Sequence, residues 1–312
     1  MNILRSLKRF GSFALVSAVM TAAGCGGSDG GGPGTGTLSL QITDGAVDSA
    51  EHVYIQFSGL EIHAAGGMRT TLYYCQDPAD PTKTIVSEIP CTTPPASKRL
   101  DLLLLSGGLA EVLLNDFTLP AGRYVWIRLM VDTAGTRDSY IVVGGVEHEL
   151  EIPSGDETGL KLNRGFNVPA GGSADFTIDF DLRKSVHLTG TGEYLLRPTL
   201  RLADNAVVGA IAGTVDAALV PGGCTPAVYV FEGAGVTPDD IDGTSPDPVT
   251  TATVKLDSGV YKYKAAFLEA GSYTVAYTCQ AALDDPAVDD ALAFSGTATV
   301  PVAAKTTTVH DF

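Results

Sequence analysis

Basic residues are scarce. The 312-residue chain holds 20 Lys and Arg against 36 Asp and Glu, and residues 1–24 carry three of those bases (Arg5, Lys8 and Arg9) but no acid, so beyond them 17 bases face 36 acids. A field of that sign repels phosphate backbones and anionic headgroups, which excludes a nucleic-acid partner. Tryptophan occurs once, at Trp126, and no apolar run is long enough for a polytopic membrane protein. Motifs of common chemistries are missing too. There is no Walker loop, dinucleotide fingerprint or C-x-x-C, and His148-Glu149 is followed by Leu150, Glu151 and Ile152, so it is not H-E-x-x-H. None of His52, His63, His148, His187 and His310 lies near a cysteine at ligand spacing, which argues against zinc. Gly26-Gly27-Ser28-Asp29-Gly30 matches G-x-S-x-G formally, without the strand and helix that a nucleophile elbow requires.

What is there begins with an address. Residues 1–24 combine a basic start, an apolar run from Phe10 to Ala23 and small residues before a break, the pattern of an export signal. The stretch Thr21-Ala22-Ala23-Gly24-Cys25 resembles a bacterial lipobox, with Ala22 in place of the usual Leu. That resemblance implies cleavage before Cys25, lipidation of Cys25 and a membrane partner reached through acyl chains, each buried CH₂ contributing about 0.8 kcal/mol. Gly26 stands where an inner-membrane retention signal has Asp, which points to the outer membrane. The alternative is an ordinary secretory signal followed by a chance cysteine. Residues 25–36 are Gly-rich and read as a flexible tether.

Export makes disulfides permissible. Beyond Cys25 the cysteines fall as Cys75 with Cys91 and Cys224 with Cys279, one pair in each half. Four cysteines allow three connectivities, but pairing within each half needs no contact between the halves.

From Thr37 onward the dominant pattern is alternation with Gly, Pro and Asp punctuation. Val53, Ile55 and Phe57 alternate with His52, Tyr54, Gln56 and Ser58, Val125, Ile127, Leu129 and Val131 with Tyr124, Trp126, Arg128 and Met130, and Phe176, Ile178, Phe180 and Leu182 with Thr177, Asp179, Asp181 and Arg183. Only the Leu-rich stretch from Leu100 to Leu114 suggests helix, and Gly107-Gly108 breaks it. No arginine follows Arg201, a composition shift that places a boundary near residues 203–206. The fold class expected is all-β: two β-sandwich-like antiparallel domains, 37–204 with short helical pieces and 205–312 as a small sandwich.

The segments TLSLQITDGAVDSAEHVYIQFSGLEIHAAGG, LDLLLLSGG, LPAGRYVWIRLMV and PSGDETGLKLNRGFNVPAGGSADFTIDFDLRKSV, followed by YLLRPTLRL, resemble a bacterial lipoprotein family known as domain of unknown function 4382. The resemblance covers roughly residues 36–204. It implies an exported β-rich domain and brings no activity with it. The second half, with GVYKYKAAFLEAGSYTVAYTC, is similar to transthyretin-like or carboxypeptidase-regulatory-like modules, which are mostly spacers or binding accessories.

Four constellations are candidates for a site. By the two-residue period, Asp179, Asp181 and Arg183 share a strand face, and Arg197, Thr199 and Arg201 share another. If the strands pair, the result is a cross-strand ionic ladder or a groove for an anionic or sugar ligand. The loop TPDDIDGTSPDP carries Asp239, Asp240, Asp242 and Asp247, oxygen ligands of the kind Ca²⁺ takes, without EF-hand spacing; a solvated loop is the alternative, with no cofactor. The doublets Asp284-Asp285 and Asp289-Asp290 read as a soluble hairpin tip. Tyr124, Trp126 and Tyr140 are either an exposed stacking face or core.

The function expected is a non-enzymatic, lipid-anchored envelope module that binds a protein or glycan partner or acts as a spacer. The alternatives are a polysaccharide-acting enzyme or accessory, with Asp179 and Asp181 as acid and base, and a calcium-dependent adhesin. A concave pocket holding carboxylates of shifted pKa favours the enzyme, an exposed aromatic or apolar patch a partner surface, and a convergent oxygen cage calcium.

Overall fold

Alternation governs the chain from the end of the Gly-rich stretch. In the strand Thr35–Gly45, Leu38, Leu40 and Ile42 are fully buried while Ser39 and Gln41 are not. The computed structural model describes residues 34–45, 50–91, 97–133, 135 and 137–312. Cys25, residues 1–24 and the Gly26–Gly30 motif lie outside the described residues. The first strand starts at Thr35, within the stretch expected to be tether.

Residues up to Asp204 form two sheets over one core. A four-stranded sheet has the order Leu200–Asp204, Ser173–Asp181, Thr35–Gly45, Glu111–Pro120. An eleven-stranded sheet is built around His52–Ala64 and Gly122–Val131. Between them Leu38, Ile55, Phe57, Leu60, Tyr124, Ile178 and Phe180 belong to a single hydrophobic cluster. Burying side chains of this size stabilises the fold by about 1.5–3 kcal/mol each. The alternation of Val53, Ile55 and Phe57 does not persist along its strand. The pairing with Gly122–Val131 slips between Phe57 and Gly59, and Leu60 and Ile62 are the next inward residues. Gly59 is required there, because a Cβ would stand 2.1 Å from the Leu72 carbonyl oxygen.

Residues beyond Asn205 form two further four-stranded sheets. One has the order Lys255–Asp257, Val260–Glu269, Val208–Val215, Thr307–Val309; the other Thr250–Thr253, Ala227–Glu232, Gly271–Thr278, Phe294–Val302. Ile211, Val230, Tyr263 and Val275 pack between them. The fold is thus all-β with sandwich-like sheets.

Not every pairing is antiparallel. Thr35–Gly45 runs parallel to Ser173–Asp181, Val208–Val215 to Thr307–Val309, and Tyr194–Leu196 to Val146–Glu151. Alternation reports which face is buried and is blind to the direction of the neighbour. The helix suggested by the Leu-rich stretch shrinks to one 3-10 turn, Leu102–Leu105, between the strands Lys98–Asp101 and Glu111–Pro120. Gly107 and Gly108, at φ +74° and +87°, redirect the chain as L side chains rarely do. Two disulfides, Cys75–Cys91 and Cys224–Cys279, each close a loop within one half. On the chain-entropy model they contribute about 3 and about 4 kcal/mol.

Candidate functional site

Strand register decides which charged residues meet. Asp179 lies opposite Arg201, and Thr43 lies beside Asp179 on the neighbouring strand. Arg201 donates to Asp179 Oδ2 through Nε at 3.2 Å and again through Nη2. One rung of the expected ladder therefore forms, yet its face is largely covered. Arg201 Nη1 donates to the Phe267 carbonyl oxygen of the second sandwich at 2.9 Å.

The remaining charges of that constellation separate. The strand ends at Asp181 and is followed by one helical turn, Leu182–Ser185, whose Lys184 N–H donates to Asp181 Oδ1. Arg183 is therefore off the strand face. It is 3% exposed, lies over the Tyr229 ring and donates to the Tyr229 hydroxyl at 2.9 Å and the Ala281 carbonyl at 3.3 Å. Lys184 pairs with Asp247 and donates to the Pro248 carbonyl. Arg197 is exposed and precedes the strand that carries Arg201. Of the residues that the two-residue period groups on a ladder, Arg183 and Arg201 thus fasten the first pair of sheets to the second.

Beside these fastenings a cleft of about 650 Å³ runs between the halves, lined by Asp44 and Asp179 on one side and by Thr251, Thr253, Lys255 and Phe267 on the other. Asp44 is 5% exposed, and among the described residues neither of its carboxylate oxygens has a hydrogen-bond partner. The hydroxyls of Thr251 and Thr253 are likewise buried without a partner. An unsatisfied buried polar group costs about 1–3 kcal/mol, so three around one cleft is a substantial deviation from native practice. Burial, then the charges of Asp181 and Asp179, hold the Asp44 carboxyl well above the usual range. Asp181 does not line the cleft; burial raises it to about 6 against the favourable charge of Lys184.

Phe267 adds strain at the same place. Its φ is +56°, a region that bulky L residues rarely occupy. It sits where the pairing of Val208–Val215 with Val260–Glu269 shifts register between Gly209 and Ile211. Bulges of this kind re-aim side chains next to sites.

Asp44 was legible in principle. The alternation Leu38, Leu40, Ile42 continues to position 44, so an acid falls where the pattern calls for a core residue. Thr251, Thr253 and Phe267 carry no such signal.

The acidic loops are arranged differently from expectation. Asp239 and Asp247 fall outside both convergent groups: Asp239 Oδ1 accepts the Asp240 N–H and Asp247 holds Lys184. Asp240 meets Asp242 and Asp289 in one group and Asp284 and Asp290 in another, with one oxygen from each member of a group within 4.8 Å of the others. Of the doublets expected at a solvated hairpin tip, Asp284, Asp289 and Asp290 thus turn towards Asp240, and Asp285 stays exposed.

The aromatic trio also divides. Tyr124 is core, stacked on Phe166. Trp126 is half-buried, stacked on His63 at 4.7 Å and capped by Lys161 Nζ. Tyr140 stacks on Tyr54. Among the described residues no helix is long and apolar enough to cross a membrane.

The family model described as "Domain of unknown function (DUF4382)" matches residues 35–198, just over half of the chain. No curated protein matches in sequence. Among solved structures the chain is similar to the Bacillus anthracis TIE protein, at 12% identity and TM-score 0.20 over 89% of this chain, spanning only 33% of that one. It is also similar to GBS52, the minor pilin of Streptococcus agalactiae, at 11% identity and TM-score 0.20 over 88% of this chain and 94% of that one. A third is BcpA, the major pilin subunit of Bacillus cereus, at 9% identity and TM-score 0.19 over 89% and 99%. Superposition this loose transfers no role.

Proposed function

This chain belongs to the DUF4382 family through residues 35–198, and from that premise we propose that it is an exported, lipid-anchored envelope module that binds a glycan unit, without catalysis, in the cleft between its two sandwiches. The observation that carries this is the set of buried polar groups without a partner among the described residues, Asp44 on one side of the cleft and Thr251 and Thr253 on the other. Sugar hydroxyls donate and accept, so a polyhydroxylated ligand supplies the partners these groups lack, and Phe267 offers an apolar surface beside them.

A hydrolase is the second reading, because a concave site with a raised carboxyl is the feature that favours an enzyme. Glycoside hydrolysis needs a second carboxylate free to act on the sugar across roughly 5–9.5 Å. The other carboxylates of the cleft are already engaged, Asp179 by two nitrogens of Arg201 and Asp311 by the N–H and hydroxyl of Thr214, and Asp181 caps a helical turn away from the lining. That engagement favours binding over turnover.

Asp44→Asn is expected to weaken glycan binding by about tenfold or more, since a hydrogen bond to a charged or otherwise unpaired group is worth about 1.5–3 kcal/mol. A glycan array with the full chain, assayed for released sugar in the same wells, measures both effects. Binding unchanged by the substitution removes the cleft from the proposal; released sugar moves the assignment to the hydrolase.

Export and anchoring rest on residues 1–24 and Cys25. In a bacterial host the wild-type chain is expected to incorporate labelled palmitate and fractionate with membrane, and the Cys25→Ala variant to do neither. Identical fractionation of the two chains would overturn the anchor.

A further inference from the structure

We propose that the second sandwich carries a calcium site, in which Asp240, Asp242 and Asp289 hold the ion between loops 237–248 and 280–293. This site is separate from the cleft, and none of its residues lines it. The three carboxylates each place an oxygen within 4.8 Å of the others, close enough to share one cation. All donors are oxygen and all are charged, which is the set a hard divalent cation takes. Calcium tolerates irregular oxygen cages of six to eight ligands, where magnesium demands a near-ideal octahedron.

Proximity of acids alone carries little, since exposed acidic groups crowd on many surfaces. What singles this cluster out is Asp240, which is 1% exposed. Its Oδ2 accepts the Asp290 N–H, while its Oδ1 is shut off from solvent and has no hydrogen-bond donor among the described residues. A carboxylate oxygen buried against other carboxylates with no donor is costly unless a cation or a proton meets it.

The second triad explains why the ion is assigned to the first. Asp284 shares Asp240's surroundings, but its Oδ1 accepts the Ile241 N–H and its Oδ2 accepts the Tyr229 hydroxyl. Asp290 Oδ2 accepts the Asp285 N–H. By contrast Asp242 uses only Oδ1, for the Thr244 N–H, and among the described residues neither oxygen of Asp289 accepts a hydrogen bond. Asp284 and Asp290 thus fix the two loops against each other, and Asp240, Asp242 and Asp289 retain oxygens for an ion.

Tyr229 supplies the assay. Its hydroxyl bonds Asp284, next to the site, so terbium bound there is excited through a tyrosine, whereas the only Trp lies in the first half. The full chain is expected to give tyrosine-sensitised terbium emission that Ca²⁺ displaces and an equal concentration of Mg²⁺ does not. Asp289→Ala, at an exposed position that leaves the fold intact, is expected to weaken Ca²⁺ competition by about tenfold or more, and Asp240→Asn to abolish it. Asp257→Ala, at an exposed acid outside both groups, is expected to leave it unchanged. Emission that Ca²⁺ fails to displace, or equal Ca²⁺ affinity in wild type and Asp289→Ala, overturns the site. Should Asp240→Asn fail to fold, Asp289→Ala decides the question by itself.

Discussion

Arg183→Ala is expected to lower the unfolding free energy by about 3–5 kcal/mol, the cost typical of removing one partner from a buried charged network. The guanidinium crosses from the helical turn Leu182–Ser185 into the second sandwich, where it lies over Tyr229 and donates to the Tyr229 hydroxyl and the Ala281 carbonyl. Tyr229 in turn donates to Asp284. Truncation leaves the Ala281 carbonyl without this donor, removes the charge that favours ionised Asp284, and opens a cavity. Urea denaturation of both chains measures the change. Arg197→Ala, at an exposed position, is the control and is expected to fall within about 0.5 kcal/mol of wild type. A loss at Arg183 no larger than at Arg197 would show that the sandwiches do not depend on this fastening.

The second large effect concerns pH. Asp181 has an ordinary value of 3.8 and is raised to about 6 in the folded chain, by burial first and then by Asp179, against the lowering influence of Lys184, its N–H and Arg183. A carboxyl whose folded value exceeds its unfolded value binds its proton more tightly when folded. Its contribution is therefore fully present below about pH 4 and lost as pH rises through about 6, amounting to on the order of 3 kcal/mol. Asp44, raised by burial and by both neighbouring acids, acts in the same direction. Asp181→Asn keeps an oxygen for the Lys184 N–H and removes the titration. Relative to wild type, the variant is expected to gain about 3 kcal/mol between pH 4 and pH 7, measured by denaturation at each pH. A pH-independent difference between the two chains would refute the assignment.

Much of the architecture was legible because burial follows local pattern. In the second half the alternating segments VVGAIAGTV, AVYVF, GVYKYKAAF and SYTVAYT each form one strand with ends displaced by a residue or two, whereas TTATVKL and FSGTATVPVAAKTTTV each divide into two strands that belong to different sheets. The disulfides follow from compartment and chain position. Asp179 opposite Arg201 follows from the two-residue period once the strands pair. What was not legible depends on where a second element arrives. Nothing local to DFDLRKS says that the strand stops at Asp181, that Arg183 turns away, or that the face of Arg201 meets Phe267 rather than water. The register slip at Gly59 similarly needs the Leu72 carbonyl, thirteen residues on, to explain it. Asp240 is an acid among acids in sequence and a buried one only in space.

The strand Thr35–Gly45 has one further implication. It is interior to its sheet, bonded to Ser173–Asp181 along Thr37 to Gly45 on one side and to Glu111–Pro120 from Thr35 to Ile42 on the other. Tension arriving through Gly34 cannot peel this strand from a free border; both ladders must rupture together. Survival under load is set by the unfolding barrier rather than by equilibrium free energy. The first strand is therefore where the molecule can bear mechanical force transmitted from whatever precedes it.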